Sequence, residues 1–233
     1  MQVDIITAFP RMVSAPLEES IVGRALSKNL VRLNIHDLRN WTDDKHRTID
    51  DAPYGGGAGM VFKIEPLYKC LNEIFDNSDA KKREIILTSP RGEPYNQQKA
   101  IKLSLIDQII IICGHYKGID ERLKSFFPVQ EISIGDYILS GGELAAAVIT
   151  DSVIRLLPGV LGDIDSAMSD SFSEYLLDCD YYTRPEEFKG VKVPPVLLTG
   201  NHRKIESWRL HQKEKITKER RPDLYKKYSK IIK

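Results

Sequence analysis

Residues 129–143 read VQEISIGDYILSGGE, and this stretch decides the fold class of the chain. Its first half predicts a strand, because its apolar residues are β-branched and lack the spacing of a helix face. The pair Gly141 and Gly142 predicts a tight turn in which the backbone can come close to a ligand. Residues 143–157 follow as an apolar run that predicts a helix. The stretch therefore reads as a strand, a glycine turn and a helix.

Two earlier stretches repeat this order of elements. Residues 109–123, IIIICGHYKGIDERL, contain an apolar strand, a glycine-containing turn and a helix that we expect to begin near Ile119. Residues 83–100, REIILTSPRGEPYNQQKA, contain a strand, a loop at residues 89–92 and a helix with Asn96 as its N-cap. Strands that alternate with helices predict an α/β fold with a mostly parallel sheet and helices on both faces.

Three neighbouring strands thus end in glycine-containing loops. In open α/β sheets ligands bind at the carboxyl ends of the strands, so these loops are the candidate ligand site. None of them carries the GxGxxG or GxxxxGK[ST] pattern, which argues against a site for a dinucleotide or a nucleoside triphosphate. Ordinary strand-to-helix turns are the alternative to ligand loops.

The composition, 42% hydrophobic and 29% charged among 233 residues, is typical of a globular protein. No apolar run reaches the roughly 18 residues of a membrane span, and the N-terminus lacks the basic start and long apolar core of a signal peptide. We therefore expect a cytoplasmic protein with no membrane partner. Cys70, Cys113 and Cys179 are far apart and form no CxxC motif, so each is expected to be a small buried residue.

Charge is unevenly distributed along the chain. Residues 199–233 contain twelve Lys and Arg residues against four Asp and Glu residues, although the whole chain has a net charge of only +1. Such a basic segment predicts a polyanionic partner, and a solvated helix face is the alternative interpretation. Within it, Ile205, Trp208 and Ile216 recur at helical spacing, which predicts a helix with Trp208 on its apolar side.

Several motifs occur in order along nearly the whole chain. They are PYGGGAGM, SPxG, GxYxGIDER, SIGDYxLxGGE, PGVLG, DSF and RRPDLY. In this order they resemble the motifs of the bacterial tRNA (guanine-N1)-methyltransferases, the TrmD family of the SPOUT class. The resemblance implies an α/β fold with a mostly parallel sheet, helices on both faces and a deep trefoil knot, plus a small, mainly helical C-terminal domain. The knot is implied by the resemblance alone, because threaded chains are nearly absent among folds.

The resemblance also implies a division of the chain into domains. Residues 1–161 would form a knotted S-adenosylmethionine-binding domain, and residues 176–233 a basic tRNA-binding domain. Residues 158–174, PGVLGDIDSAMSDSFSE, are rich in Gly, Asp and Ser and lack periodicity, which itself predicts an interdomain linker. We place this linker at residues 162–175.

The implied activity is the transfer of a methyl group from S-adenosylmethionine to N1 of guanosine at position 37 of tRNA, next to the anticodon. The implied partners are the tRNA anticodon stem-loop and a second copy of the chain in a homodimer, and the chemistry requires no metal. A non-catalytic RNA-binding protein on the same scaffold is the alternative function. A nicotinamide-dependent oxidoreductase is disfavoured by the missing glycine fingerprint.

By the same resemblance, S-adenosylmethionine lies in the three glycine-containing loops and is held largely by backbone N–H and C=O groups. The residues assigned to it are Leu87, Ser89, Pro90, Gly92, Gly114, Tyr116, Ile134, Gly135, Tyr137, Leu139, Gly141 and Gly142. A place in the core is the alternative for Tyr137 and Leu139.

Two side chains are assigned to the chemistry at the guanine. The resemblance selects Asp170 of the DSF motif as the base that accepts the N1 proton, although composition alone does not separate it from Asp163 and Asp165. Arg155, on the helix after the glycine turn, could donate a hydrogen bond to O6, where negative charge develops. An ion pair with Asp151 at i,i+4 spacing is the alternative role of Arg155. The family's active site combines the core of one subunit with the linker and C-terminal domain of the other, so Asp170 is expected to act across the dimer.

The chain departs from the family pattern at several loop positions. The family commonly reads SPQG, GRYEGIDER and GGELP, whereas this chain has Arg91, His115 with Lys117, and Ala145. Lys117 replaces an acid, so it inverts a charge beside the expected cofactor site.

Overall fold

This computed structural model describes residues 1–161, 170–172 and 174–231. The chain forms two compact units, Met1–Gly162 and Asp163–Lys233. The linker expected over residues 162–175, and the functions expected of the domains on either side of it, stay predictions.

A five-stranded sheet forms the centre of the first unit. The strands of this unit are β1 (Gln2–Thr7), β2 (Arg32–Asp37), β3 (Asp50–Asp51), β4 (Val61–Phe62), β5 (Arg83–Pro94), β6 (Gln108–Cys113) and β7 (Val129–Ser133). Five of them form one sheet in the order β2-β1-β6-β5-β7, and every neighbouring pair in it is parallel. The short strands β3 and β4 pair with each other and are antiparallel. The prediction of a mostly parallel sheet is therefore confirmed.

Helices pack on both faces of this sheet. They are α1 (Pro10–Leu17), α2 (Ser20–Ser27), α3 (Ile64–Asp76), α4 (Gln97–Leu103) and α5 (Glu143–Ile154). Successive side chains of a strand point to opposite faces, so Ile5 and Ile111 pack in one core with α1, α2, α4 and α5. Ile6 and Ile112 pack in a second core with α3. Because both faces of the sheet are covered, β6 is apolar along almost its whole length.

Most predicted elements begin close to where the structure has them. Asn96 is the N-cap of α4, as predicted, and its Oδ1 accepts a hydrogen bond of 3.0 Å from the backbone N–H of Lys99. The helix predicted after the glycine turn begins at Glu143, as expected, and ends at Ile154. In contrast, α1 has no counterpart among the predicted elements; it begins with Pro10, whose fixed φ suits the first helical position.

The prediction of a helix beginning near Ile119 is wrong. Residues on either side of it pair with β4 instead, since the N–H of Phe62 donates to the C=O of Gly118 and the N–H of Asp120 donates to the C=O of Phe62, each at 3.0 Å. This pairing keeps Ile119 out of a helix. Only a short 3₁₀ helix, Glu121–Ser125, follows it.

Strand β5 is longer than predicted. It continues through the loop predicted at residues 89–92 as far as Pro94, but its pairing with β7 is interrupted between Thr88 and Glu93. Residues 89–92 therefore bulge out of the ladder. Pro90 suits this place, because it has no N–H to give to a neighbouring strand.

The described residues of the second unit, 170–172 and 174–231, form two short strands and two longer helices. Its elements are β8 (Glu187–Phe188), β9 (Val191–Lys192), a 3₁₀ helix (Pro195–Leu198), α6 (His202–Arg220) and α7 (Pro222–Ile231). The predicted C-terminal helix is confirmed as α6, and Trp208 on it is half-buried, with its ring centre 6.4 Å from that of Tyr182. The three cysteines of the chain are buried thiols, as predicted. Within the described ranges, no helix has both the length and the apolar character needed to cross a membrane.

Asp4 lies on β1 in the middle of the sheet and is almost fully buried. Its carboxylate accepts hydrogen bonds from the side chains of Gln2, Asn34 and Gln108 and lies 2.9 Å from Nε2 of His36. Burial raises the pKa of this carboxyl, but the hydrogen bonds, led by that from His36, outweigh burial and hold the pKa below its ordinary value. Asp4 is thus a buried anion stabilised by neighbours on β2 and β6.

We predict that Asp4→Asn destabilises the protein at neutral pH by about 1–3 kcal/mol, because the surrounding donors lose a charged acceptor. The carboxyl of Asp has a pKa of about 3.9 in the unfolded state. Because the folded-state pKa is lower, the ionised Asp4 stabilises the fold above that pH. This contribution is lost as the pH falls through the folded-state pKa. Urea denaturation measures the free energy of unfolding of both proteins, and the difference between the two values should therefore shrink below about pH 4. The exposed Asp76→Asn is the control and should unfold like wild type. A difference that grows on acidification would contradict the assignment.

Candidate active site

A cavity of about 370 Å³ opens at the carboxyl ends of β5, β6 and β7. This volume is within the range of small-molecule sites in proteins. The cavity is lined by residues 87–91, 114–118, 132–135 and 137–142 and by Ala145. The three glycine-containing loops that the sequence indicates as a ligand site are therefore the walls of one cavity.

All but one of the residues assigned to the cofactor line this cavity. They are Leu87, Ser89, Pro90, Gly114, Tyr116, Ile134, Gly135, Tyr137, Leu139, Gly141 and Gly142. The alternative that Tyr137 and Leu139 belong to the core is wrong, because 55% and 37% of their surfaces are exposed. The exception is Gly92: a Cβ there would lie 2.4 Å from the backbone nitrogen of Ile132, so this glycine lets the bulge of β5 pack on β7.

The ends of β5 and β6 and the start of α5 meet in backbone contact at the back of the cavity. The N–H of Gly142 donates a hydrogen bond of 2.7 Å to the C=O of Gly114. The N–H of Gly114 donates to Oγ1 of Thr88 at 3.0 Å, and that hydroxyl donates to the C=O of Ile112 at 3.2 Å. A Cβ on Gly142 would lie 1.9 Å from Oγ1 of Thr88 and 2.7 Å from the nitrogen of Gly114. Only glycine fits at position 142.

A buried carboxylate lies directly behind this wall. Glu143 is fully buried at the first position of α5, and its Oε1 accepts a hydrogen bond of 2.8 Å from Oγ1 of Thr7. Its Oε2 and Nδ1 of His115 have no hydrogen-bond partner among the described residues. A Cβ on Gly141 would lie 2.3 Å from Oε2 of Glu143 and 2.9 Å from Nε2 of His115, so the two side chains flank Gly141.

Sequence reasoning misses Glu143 and Thr7 as parts of the site. An acid at the start of a helix is common, because it interacts favourably with the helix dipole, so the sequence does not distinguish a buried Glu143 from an exposed one. The neighbouring thiol of Cys113 has a pKa raised well above its ordinary value, first by burial and then by the negative charge of Glu143. Cys113 is therefore a buried structural thiol.

Two bases and two acids form an ion-pair network at the outer edge of the cavity. Nη2 of Arg91 lies 2.7 Å from Glu121 and 3.2 Å from Glu131, and Nζ of Lys124 lies 2.6 Å and 2.5 Å from the same two acids. The hydrogen bond from Lys124, followed by that from Arg91, lowers the pKa of Glu121. This network joins the bulge of β5 to the 3₁₀ helix and to β7.

Tyr116 stands at the mouth of the cavity in a left-handed conformation, with a φ of +56°. Burial, and then the negative charge of the neighbouring Asp50, raise the pKa of its hydroxyl. The hydroxyl therefore stays protonated at neutral pH, and its hydrogen bond with Asp50 contributes to this shift.

Of the two residues assigned to the chemistry, Arg155 belongs to the first unit but does not line the cavity. Arg155 follows the last turn of α5 and its N–H donates to the C=O of Asp151, about 18 Å along the helix from Glu143 at the cavity end. Asp170 belongs to the second unit, where the next residue, Ser171, accepts a hydrogen bond from the N–H of Asp178. Asp163 and Asp165 lie outside the described residues.

Among the described residues, no group of three or more His, Cys, Asp or Glu side chains is arranged to hold a metal ion.

Comparison with known proteins gives one consistent result. Residues 1–227 match the family model described as tRNA (Guanine-1)-methyltransferase TrmD. Among curated relatives, a protein of Christiangramia forsetii is 52% identical over 224 residues, covering 96% of this chain and 98% of the relative. A protein of Dehalococcoides mccartyi is 50% identical over 227 residues, covering 97% and 91%. A protein of Bacteroides thetaiotaomicron is 50% identical over 224 residues, covering 96% and 99%. Each of the three is named tRNA (guanine-N(1)-)-methyltransferase.

We predict that Gly142→Ala destabilises the first unit by about 1–3 kcal/mol or more, because the new methyl group overlaps Thr88 and the backbone of Gly114. The same substitution should abolish ligand binding in the cavity. Ser140→Ala, in the same turn but exposed, is the matched control and should unfold like wild type. A Gly142→Ala protein whose unfolding free energy stays within about 0.5 kcal/mol of wild type would contradict the close contact.

Proposed function

The chain belongs to the tRNA (guanine-1)-methyltransferase TrmD family and methylates guanine in tRNA, and we propose that its methyl donor is S-adenosylmethionine and its target is N1 of guanosine 37, next to the anticodon. One observation carries the donor assignment: the glycine loops of the SPxG, GxYxGIDER and SIGDYxLxGGE motifs form the walls of one cavity at the carboxyl edge of a parallel sheet. Ligands bind at that edge in α/β folds.

The cavity fits the proposed donor. Its back wall is bare backbone, where Gly142 and Gly114 leave no room for a side chain, so a flat adenosyl group can reach N–H and C=O groups directly. The apolar side chains of Leu87, Ile134 and Leu139 line the remaining walls. When bound, the donor would supply the methyl group as a sulfonium. The residues proposed to hold it are Leu87, Ser89, Pro90, Gly114, Tyr116, Ile134, Gly135, Tyr137, Leu139, Gly141 and Gly142, with Gly92 shaping the bulge behind them.

The acceptor chemistry requires a base and a donor at the guanine. N1 carries a weakly acidic proton that has to leave as the methyl group arrives, and negative charge builds on O6. We propose that the carboxylate of Asp170 accepts the N1 proton. We propose further that Arg155 donates to O6 and stabilises the developing charge. No metal is assigned a role in these steps.

A homodimer would bring Arg155 to the cavity of the partner subunit, since this residue does not reach the cavity of its own chain. The distance of about 18 Å along α5 between Arg155 and the cavity end of the helix supports this proposal. So does the composition of α5, which is apolar on almost every side. Leu144 and Val148 form one stripe of this helix and are 48% and 49% exposed. A second copy that covers this stripe would bury it, with Asp170 of one subunit acting at the cavity of the other.

We also propose that the chain is knotted at the cavity, with a linker over residues 162–175 and a mainly helical tRNA-binding domain over residues 176–233. The contact of Gly142 with the ends of β5 and β6 is the observation that supports the knot, because it brings three chain segments together at one place. The basic composition of residues 199–233 supports binding of the tRNA anticodon stem-loop. A cytoplasmic location is proposed on the ground that the substrate is tRNA.

We predict that Asp170→Asn lowers the single-turnover rate of methyl transfer by about 10²–10⁴-fold, because the amide cannot accept the N1 proton. The measurement is transfer of tritium from labelled S-adenosylmethionine to tRNA, followed by nucleoside analysis. Affinity for S-adenosylmethionine should stay unchanged.

Asp163→Asn and Asp165→Asn are the matched controls, because they lie in the same acidic segment outside the DSF motif. Both should keep most of the activity. An Asp170→Asn rate within about threefold of wild type is too small a loss for a general base and would contradict the mechanism.

We predict that tRNA affinity depends on the exposed basic residues of the second unit, those of α6 among them. Charge reversal at the exposed Arg203, Lys218 and Arg220 should weaken tRNA binding and flatten its salt dependence, because fewer counterions are released. Charge reversal at the exposed Lys28, near the amino end of β2, is the control. Filter binding over a range of salt concentrations measures both effects. Equal losses for the α6 triple variant and the Lys28 variant would refute the assignment.

A further inference from the structure

One lysine lines the cavity without a counterion among the described residues. Apart from His115, the titratable side chains that line the cavity are those of Arg91, Tyr116, Tyr137 and Lys117, and none is an Asp or Glu. Arg91 is neutralised by Glu121 and Glu131 in the ion-pair network. Lys117, in contrast, makes no ion pair with any residue in the described ranges. Its ammonium group is the uncompensated positive charge of the described cavity wall.

The loop around Lys117 holds this side chain in place without help from an acid. The N–H of Lys117 donates to the C=O of Met60 at 3.0 Å. The residues on either side, Tyr116 and Gly118, both have left-handed backbone, with φ values of +56° and +122°. A Cβ on Gly59 would lie 2.9 Å from Cγ of Lys117, so the aliphatic stem packs on the glycine-rich loop at residues 54–60. Its position is therefore set by packing and by backbone geometry.

We propose that Lys117 binds the carboxylate at the amino-acid end of the methyl donor, an inference that rests on the proposed function. S-adenosylmethionine carries positive charges on its sulfonium and ammonium groups and one negative charge on its carboxylate. A lysine in the wall attracts the carboxylate and repels the other two groups. Lys117 therefore turns the carboxylate toward itself and the reactive sulfonium away, toward the remaining walls.

The location of Lys117 favours this carboxylate over the other available anion, a phosphate of the tRNA. Gly114 and Tyr116, in the same loop, are assigned to the donor, and all three residues line one cavity. A ligand that fills the cavity brings its carboxylate to this loop, whereas a polynucleotide phosphate has to approach from outside. Lys117 is thus a specificity-determining residue that distinguishes donors with a carboxylate from those without one.

The test compares ligands that differ only at this end of the molecule. Dissociation constants are measured by calorimetry for S-adenosylmethionine, for its decarboxylated form and for methylthioadenosine, which lacks the amino-acid end altogether. Wild type should bind S-adenosylmethionine about 10- to 100-fold more tightly than the decarboxylated form, which is the range expected for a charge-assisted hydrogen bond. In Lys117→Met this preference should fall to about twofold or less, and Lys117→Arg should restore most of it.

Binding of methylthioadenosine serves as the check on folding, because this ligand lacks the carboxylate that Lys117 is proposed to bind. Its affinity should be the same in wild type and in Lys117→Met. Lys69→Met is the matched lysine control. Lys69 follows the glycine-rich loop in the sequence and forms an ion pair with Asp43 on the surface, so this variant should keep the wild-type preference.

Three results would overturn the proposal. The first is a Lys117→Met protein that keeps the preference for the carboxylate. The second is an equal loss of affinity for all three ligands, which would make Lys117 a residue that only shapes the loop. The third is unchanged donor binding with weakened tRNA binding, which would assign the lysine to a phosphate. A wild-type protein that binds none of the three ligands would instead refute the proposed donor, and the two failures are therefore distinguishable.

Discussion

The hydrogen bond from the N–H of Gly142 to the C=O of Gly114 is the contact on which the rest of the site depends. It joins the start of α5 to the end of β6, while Thr88 at the end of β5 packs against both. The three chain segments come so close that no Cβ is tolerated at position 142. Because protein interiors are close-packed, such a contact fixes the relative positions of the loops to within a fraction of an ångström. The cavity is the space that these loops enclose in front of the contact.

The acidic and basic side chains of the site lie in different places around this contact. The negative charges lie behind the cavity wall or outside it: Glu143 is buried behind Gly141, and Glu121 and Glu131 are paired with bases at the outer edge. The wall itself presents backbone dipoles and the ammonium group of Lys117. A cavity of this kind holds a ligand by shape and by backbone hydrogen bonds, and uses one side-chain charge for orientation. The backbone of Gly142 is buried, so the low local dielectric strengthens its hydrogen bond.

The elements and the location of the site follow from local patterns in the sequence. Apolar strands that alternate with helices predict the parallel sheet, and the motif glycines predict the three loops that line the cavity. Local patterns fail where a distant segment competes for the same backbone. Ile119 is kept out of a helix by pairing with Phe62, and residues 89–92 become a bulge because β5 resumes its pairing with β7 beyond them. Neither partner is visible from the residues themselves.

By itself, the sequence determines the fold class, the order of the strands along the chain, the ligand loops and, through its ordered motifs, the family. These properties depend on which residues are neighbours along the chain, and side-chain periodicity reports them directly. The tertiary structure decides which glycines face the ligand and which, like Gly92, face another strand. It also decides that Glu143 is buried, that Lys117 lacks a counterion among the described residues, and that Arg155 lies at the far end of α5 from its own cavity. These properties depend on distances between residues remote in sequence, and packing of the folded chain alone sets those distances.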